Sequence, residues 1–193
     1  PFAPPKAGSQ EDPGRMTPRW AAAATYTYVN LRPGGAFESL DAHGATAGFA
    51  YNVAQRVGLV AELGGGRLTR TLGPSNVQHG GLFTYLFGPR LSLRKFERMV
   101  PFAEILVGGA RSGGTFIGVP NRSHDSFALA AGGGVDVVLT PSVALRFAQV
   151  DYLPTWYSGP LLGASRQDTF RLGSGLVFRI GNRKPAPPPP PPN

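Results

Sequence analysis

Three histidines, one Ser–His pair, one triple glycine and a scatter of lone charges are the residues of this chain that invite chemistry. His43, His79 and His124 are potential metal ligands, but no spacing joins them into a ligand set. His124 and Ser126 lie two apart on one strand face, as a base and a nucleophile would. The nearest acid, Asp125, points the opposite way, so no oriented triad results. Gly132-Gly133-Gly134 raises the question of a phosphate cradle. It lies inside FALAAGGGVDVVL (127–139), in mid-strand, with no helix and no Lys-Ser/Thr after it, so it lacks what a nucleotide loop needs. Mid-strand glycine instead permits tight coiling and makes room for a large neighbour, for which an arginine stem is a natural occupant. No cofactor signature is present. Cysteine is absent, which removes thiol nucleophiles, zinc-thiolate sites and disulfides together.

The lone charges are more informative. The formal net charge is +8 and comes almost entirely from arginine, 16 Arg against 3 Lys. Such a balance raises nucleic acid as a partner. The arginines are unclustered, however, and several stand singly within alternating apolar segments, so no nucleic-acid partner is expected. Asp136 is the sharpest case, a carboxylate between Val135 and Val137. The elements around these residues explain them.

From about residue 20 to 180 the chain reads as runs of roughly ten residues alternating in polarity, with no 3.6-residue period. In 44–53, Ala45, Ala47, Phe49, Tyr51 and Val53 oppose Thr46, Gly48, Ala50 and Asn52. In 82–93, Phe83, Tyr85, Phe87, Leu91 and Leu93 oppose Thr84, Gly88, Arg90 and Ser92. The segments 126–139 and 169–180 behave alike. Weaker runs lie at 20–32, 57–68, 100–111 and 143–154, giving eight strands, an even number suited to closure. Short connections (54–56, 95–98, 140–142) alternate with long polar ones (33–42, 69–78, 113–123, 155–167). That segregation predicts an all-β, eight-stranded, antiparallel, up-and-down transmembrane β-barrel with short periplasmic turns and longer extracellular loops. No run of 18 apolar residues exists, so no spanning helix is expected.

The minor face decides which side is inside. It is small or polar, with single charges, and eight strands enclose an interior that side chains nearly fill. A soluble exterior would carry Lys and Glu, and lysine is almost missing from the strands. The large apolar face is therefore expected to meet lipid, against the alternative of a soluble ligand-binding barrel. Parity then puts Glu62, Arg90, Glu104, Asp136, Arg146 and Arg171 inside, and Asp151 as well if its strand carries a bulge. The first five fall at similar heights, about four to six residues from the turn end. Unpaired, each would cost several kcal/mol, so a paired ionic plug is expected instead of an open channel.

TYLFGPRLSLR (84–94), PFAEILVGGAR (101–111), FALAAGGGVDV (127–137), QVDYLPT (149–155) and FRLGSGLVFRI (170–180) resemble the small outer-membrane β-barrel family, the OmpA/OmpX-like eight-stranded porin-domain superfamily. The resemblance covers about 20–181. It implies insertion in the outer membrane of a Gram-negative-type bacterium and a plugged or very narrow lumen. Gly175, Phe178 and Ile180 match the family's assembly signal in part, which implies recognition by the barrel-insertion machinery. Gly173 departs from it, standing where a larger polar residue is usual.

The expected organisation is an irregular arm over 1–18, the barrel over 19–181 and a Pro-rich tail over 182–193. The chain starts at Pro1 without a leader, which reads as a mature form with its export signal removed or as a trimmed chain. Pro185 to Pro192 should form a polyproline II rod. OmpA-like proteins often continue from such a linker into a peptidoglycan-binding domain. Here the tail reads as the end of a truncated protein, as a contact for a periplasmic partner or peptidoglycan, or as a disordered spacer. Arg32, Arg70, Arg111, Arg122 and Arg166 fall near the outer surface, where lipopolysaccharide phosphates sit, and arginine's fork suits phosphate. The expected role is structural, anchoring or surface-interacting within the envelope. A small-solute pore is the alternative, and a lipid-modifying enzyme with Ser/His chemistry is a third reading.

Overall fold

A computed structural model describes residues 16–32, 40–71, 77–114, 124–159 and 163–183. Its eight strands are β1 (Thr17–Arg32), β2 (Leu40–Asn52), β3 (Val57–Thr71), β4 (Val77–Ser92), β5 (Met99–Gly114), β6 (His124–Thr140), β7 (Val143–Gly159) and β8 (Gly163–Arg183). They close into one antiparallel barrel in chain order, with β8 returning to β1. Closure pairs every strand on both sides and leaves no open edge.

The short connections, 53–56, 93–98 and 141–142, share one end of the barrel with Thr17 and Arg183, which face each other across β1 and β8. They are stitched by local bonds: the Ala54 amide donates to the Val57 carbonyl at 3.0 Å, and the Val143 amide to Thr140 Oγ1 at 3.0 Å. At the other end the strands run further than polarity alternation suggests. β2 begins at Leu40, β3 continues to Thr71, β4 starts at Val77, and β7 and β8 extend to Gly159 and back from Gly163. Residues 40–42, 69–71, 77–78, 155–159 and 163–167 of the expected loops 33–42, 69–78 and 155–167 are thus strand. The backbone ladder persists there because it needs no apolar face to hold it. The strands together run from Thr17 to Arg183, two residues wider at each end than the expected 19–181. Residues 1–15 and 184–193, hence most of the arm and the tail, lie outside the described residues.

Alternation is visible residue by residue. Along β4, Thr84, Leu86, Arg90 and Ser92 are buried while Phe83, Tyr85, Phe87 and Leu91 are exposed. The outward side chains form an apolar belt far larger than a water-soluble surface carries; Phe147 is 68% exposed and Ile105 56%. Aromatic groups gather toward both ends of the belt. Trp20 lies 4.3 Å from Tyr51 between ring centroids near the turn end. Phe127–Trp156 and Tyr28–His43 sit toward the opposite end at 5.7 and 5.6 Å. Inside, two apolar clusters flank a polar middle: Val100, Val138, Ala144 and Val177 form one, and a larger one includes Val60, Leu86, Leu106, Ala128 and Leu153.

Candidate functional site: the charged lumen

Seven inward charges were expected from parity. Glu62, Arg90, Glu104, Arg146, Asp151 and Arg171 are buried, and the Asp136 side chain is 15% exposed. Three pairs arise directly from register. Arg90 and Glu104 are cross-strand partners on β4 and β5, Asp136 and Arg146 on β6 and β7, and Asp151 and Arg171 on β7 and β8. A partner directly opposite on the neighbouring strand is the closest side chain available.

The geometry is that of charge-assisted pairs. Arg90 Nε donates to Glu104 Oε2 at 2.6 Å. Arg146 grips Asp136 with two bonds, Nε to Oδ1 at 2.8 Å and Nη2 to Oδ2 at 3.2 Å. Arg171 Nε and Nη2 both reach Asp151 Oδ2, at 3.0 and 2.7 Å. Its Nη2 also lies 2.6 Å from Glu62 Oε1. That contact is an ion pair by distance without hydrogen-bond alignment. β3 and β8 are not neighbours, so the Glu62–Arg171 contact crosses the lumen.

A register shift in β7 makes this possible. Between Arg146 and Gln149 the pairing with both β6 and β8 slips. The extra residue reverses the strand's parity, so Arg146, Gln149 and Asp151 all face inward. The Ser174 hydroxyl donates to the Arg146 carbonyl at 3.0 Å. It satisfies a backbone group at the irregularity, which would otherwise be costly beside an apolar belt.

Three contributors were not singled out from sequence. Gln149 is the hub: its Oε1 accepts from Arg146 Nη1 at 2.8 Å, and its Nε2 donates to Glu104 Oε1 at 3.0 Å and Asp151 Oδ2 at 2.8 Å. Its amide supplies both a donor and an acceptor and so joins the three pairs into one network. Phe102 lies between two guanidiniums, with Arg90 Cζ 4.5 Å and Arg146 Cζ 4.6 Å from its ring centroid, a cation–π arrangement on a desolvated ring. Arg179, buried near the turn end, donates to the Met16 carbonyl at 2.5 Å. Inward parity in 169–180 was the available signal for Arg179. Nothing local marked Gln149 or Phe102.

The triple glycine receives different occupants from the arginine stem expected. A Cβ at Gly132 would collide with Asp151 Oδ1 and the Val150 carbonyl. One at Gly134 would collide with the Ala148 carbonyl and press the Phe102 ring. The glycines make room for the carboxylate and the aromatic ring.

The remaining candidates are dispersed. Ser126 Oγ donates to the Ala110 carbonyl at 3.0 Å inside the barrel, whereas Asp125 is outside, 3.1 Å from Arg111. They are on opposite faces. His43 Nδ1 is 2.6 Å from the Tyr26 hydroxyl on the exterior, and the side chains of His79 and His124 lie outside the described residues. Among the described residues no group of three His, Asp or Glu side chains is placed to hold a metal ion. Of the arginines expected at the outer surface, Arg111 is exposed beside Asp125. The side chains of Arg32, Arg70 and Arg166 and the whole of Arg122 lie outside the described residues. In β8, Phe178 and Ile180 face outward, and Gly175 packs against the β1 backbone at Ala24.

No protein-family model and no curated protein matches the sequence. Solved structures match along nearly their whole length. Neisserial surface protein A superposes with a TM-score of 0.64 at 14% identity, over 83% of this chain and 97% of that one. Ail, the attachment invasion locus protein of Yersinia pestis, gives 0.55 at 15% identity, over 84% and 100%. The outer membrane protein OprG from Pseudomonas aeruginosa gives 0.55 at 12% identity, over 88% and 99%. At such identities the likeness is one of fold: this chain has the closed eight-stranded antiparallel architecture of outer-membrane β-barrels.

Proposed function

We propose that the chain is a non-enzymatic resident of the bacterial outer membrane, with a structural, anchoring or surface-interacting role and a lumen closed by its charged layer. One observation carries this reading. The network Asp136–Arg146–Gln149–Glu104–Arg90, joined through Asp151 and Arg171 to Glu62, links β3 to β8 across the interior. Each charged group in it has a partner, so opening a path for solutes would strip several buried ions of their counter-charges, at several kcal/mol each.

The apolar belt with aromatic groups toward both ends supports residence in a membrane, since water would not tolerate it. In this reading the described strands take lipid as their outer partner, Gly175, Phe178 and Ile180 serve recognition by the barrel-insertion machinery, and Arg32, Arg70, Arg111, Arg122 and Arg166 contact lipopolysaccharide phosphate. The Pro-rich tail is the segment available to a periplasmic partner or to peptidoglycan.

Proteoliposome swelling distinguishes this from the small-solute pore. Vesicles holding the refolded protein should swell no faster in arabinose or glycine than protein-free vesicles. Swelling that falls with solute size would replace the closed reading with a pore.

A further inference from the structure

The turn end of the lumen is covered by a piece of backbone that the charged layer does not account for. Strand parity breaks at the start of β1. Trp20 and Arg19 are both exposed, and Pro18 and Thr17 are both buried. Side chains of an extended strand alternate between faces, so the backbone rotates between Arg19 and Pro18. The partner strand turns at the same level. Gly181 is the one residue with positive φ among the described residues, at 67°. A Cβ on it would sit 3.5 Å from Arg19 Cβ, an ordinary contact, so the backbone angle and not the space asks for glycine. The β1–β8 ladder is continuous from Arg32 to Trp20, lacks the rung at Arg19 and Gly181, and resumes at Pro18–Asn182 and Thr17–Arg183 in the same register.

Beyond the missing rung this two-stranded ribbon leans over the lumen. Pro18 lines a recess of about 30 Å³ beneath the Arg90–Glu104 and Arg146–Asp136 pairs, together with Asn52, Ser92, Arg94, Asp136 and Arg179 among others. Two buried, inward side chains hold the ribbon there by its carbonyls. Asn52 Nδ2, at the end of β2, donates to the Pro18 carbonyl at 2.7 Å. Arg179 Nη2, on β8, donates to the Met16 carbonyl. The ribbon needs such help. Pro18 has no N–H to give to the ladder. Every other pairing joins strands adjacent in the chain, whereas β1–β8 joins its two ends, the costliest loop to close.

We propose that residues 16–19 and 181–183 form a flap, hinged at Arg19 and Gly181, that seals the turn-end mouth of the lumen, with Asn52 and Arg179 as its latches. The lumen then has two barriers in series, the charged layer and the flap on its turn side. Swinging the flap aside breaks two side-chain bonds to carbonyls and no ion pair of the layer. It can therefore open locally, well below the cost of unfolding the barrel. The proposal extends the closed-lumen reading to the turn end.

The chain has no cysteine, so one introduced thiol reports access to the recess. Ser92→Cys places it on the buried recess wall, and Lys95→Cys places a reference on the exposed turn nearby. The full chain is refolded in a maltoside detergent and labelled with a water-soluble methanethiosulfonate too large for the closed recess. Ser92→Cys should label at least about tenfold more slowly than Lys95→Cys, because it reacts only when the flap opens. Adding Asn52→Ala removes a latch and should speed Ser92→Cys labelling roughly three- to tenfold. Gly181→Ala strains the hinge without touching the recess wall and should act in the same direction. Gly48→Ala is the control, since a Cβ there meets only Ala23 Cβ at 3.7 Å, and it should change nothing. Mobility of the unheated protein on a gel confirms that each variant is folded, and if Gly181→Ala fails to fold, Asn52→Ala decides. Ser92→Cys labelling as fast as Lys95→Cys would overturn the flap, as would slow labelling that Asn52→Ala and Gly181→Ala leave unchanged. Fast labelling beside a silent wild-type channel would sink the flap and leave the charged layer standing, so the two readings fail separately.

Discussion

The two walls of the lumen divide its filling unequally. β4 to β8 supply the large and charged inward side chains, Arg90, Phe102, Glu104, Arg146, Gln149 and Arg171 among them. β1 and β2 face them with small ones, Ala21, Ala23, Thr25, Thr27, Thr46, Gly48 and Ala50. Glu62 on β3 is the one inward charge that the three strands β1 to β3 contribute among the described residues. An eight-stranded barrel has no room for large side chains from every direction. Long arginines from one wall reaching over small residues on the other fill the space while keeping each charge beside its counter-charge. The contrast teaches that the small wall is as much a part of the packed interior as the charged one.

Removing charge from the large wall should break this arrangement most severely. Arg146→Ala leaves Asp136 and Gln149 without their shared donor, and breaking a buried pair from one side costs about 3–5 kcal/mol. Urea unfolding of the refolded barrel in lipid should show a loss of that size, and a loss below about 1 kcal/mol would mean water already screens the pair. Next comes the hub. Gln149→Leu keeps the volume but removes the amide that joins three ion pairs, and should cost up to about 3 kcal/mol. Because the network is connected, Gln149→Leu and Arg90→Met should combine non-additively in the same assay.

The small wall sharpens the comparison from the other side. Ala50→Leu adds apolar surface to a buried position and would be mild wherever space were spare. Here it should cost about 1–2 kcal/mol by overpacking. A stabilised variant would show that the small wall borders empty space. The smallest effect is expected outside both walls. Arg111 and Asp125 form an exposed pair, so Arg111→Gln should change the unfolding free energy by no more than about 0.5 kcal/mol. It should lower affinity for lipopolysaccharide more than it alters stability.

Much of this interior can be read from the chain alone because the two-residue period of a strand survives in most of it. Inward parity places Glu62, Arg90, Glu104, Asp136 and Arg171 by counting. The shift in β7 could be anticipated as well, since residues 146 and 151 have opposite parity and without it one of the two charges would face lipid at a cost. What counting cannot supply is position across the barrel. Gln149 meets Glu104 from 45 residues away, and Glu62 meets Arg171 between strands that are not neighbours. Both contacts follow from shear and tilt, which set how strands of different height align. Phe102 illustrates the same point: on its own strand it is one more inward apolar residue, and only its neighbours make it a spacer between two cations. The strand ends beyond the apolar belt escaped notice for a different reason. There the ladder is held by backbone bonds, which leave no mark in side-chain polarity.

The proposed closure of the lumen is tested most directly by single-channel recording in planar bilayers, with refolded wild type and Arg146→Ala side by side. The network predicts a silent wild type and a variant that conducts or fails to remain inserted. Steady ohmic conductance from the wild type would contradict it, because ions would then be passing a layer whose charges are meant to hold one another closed.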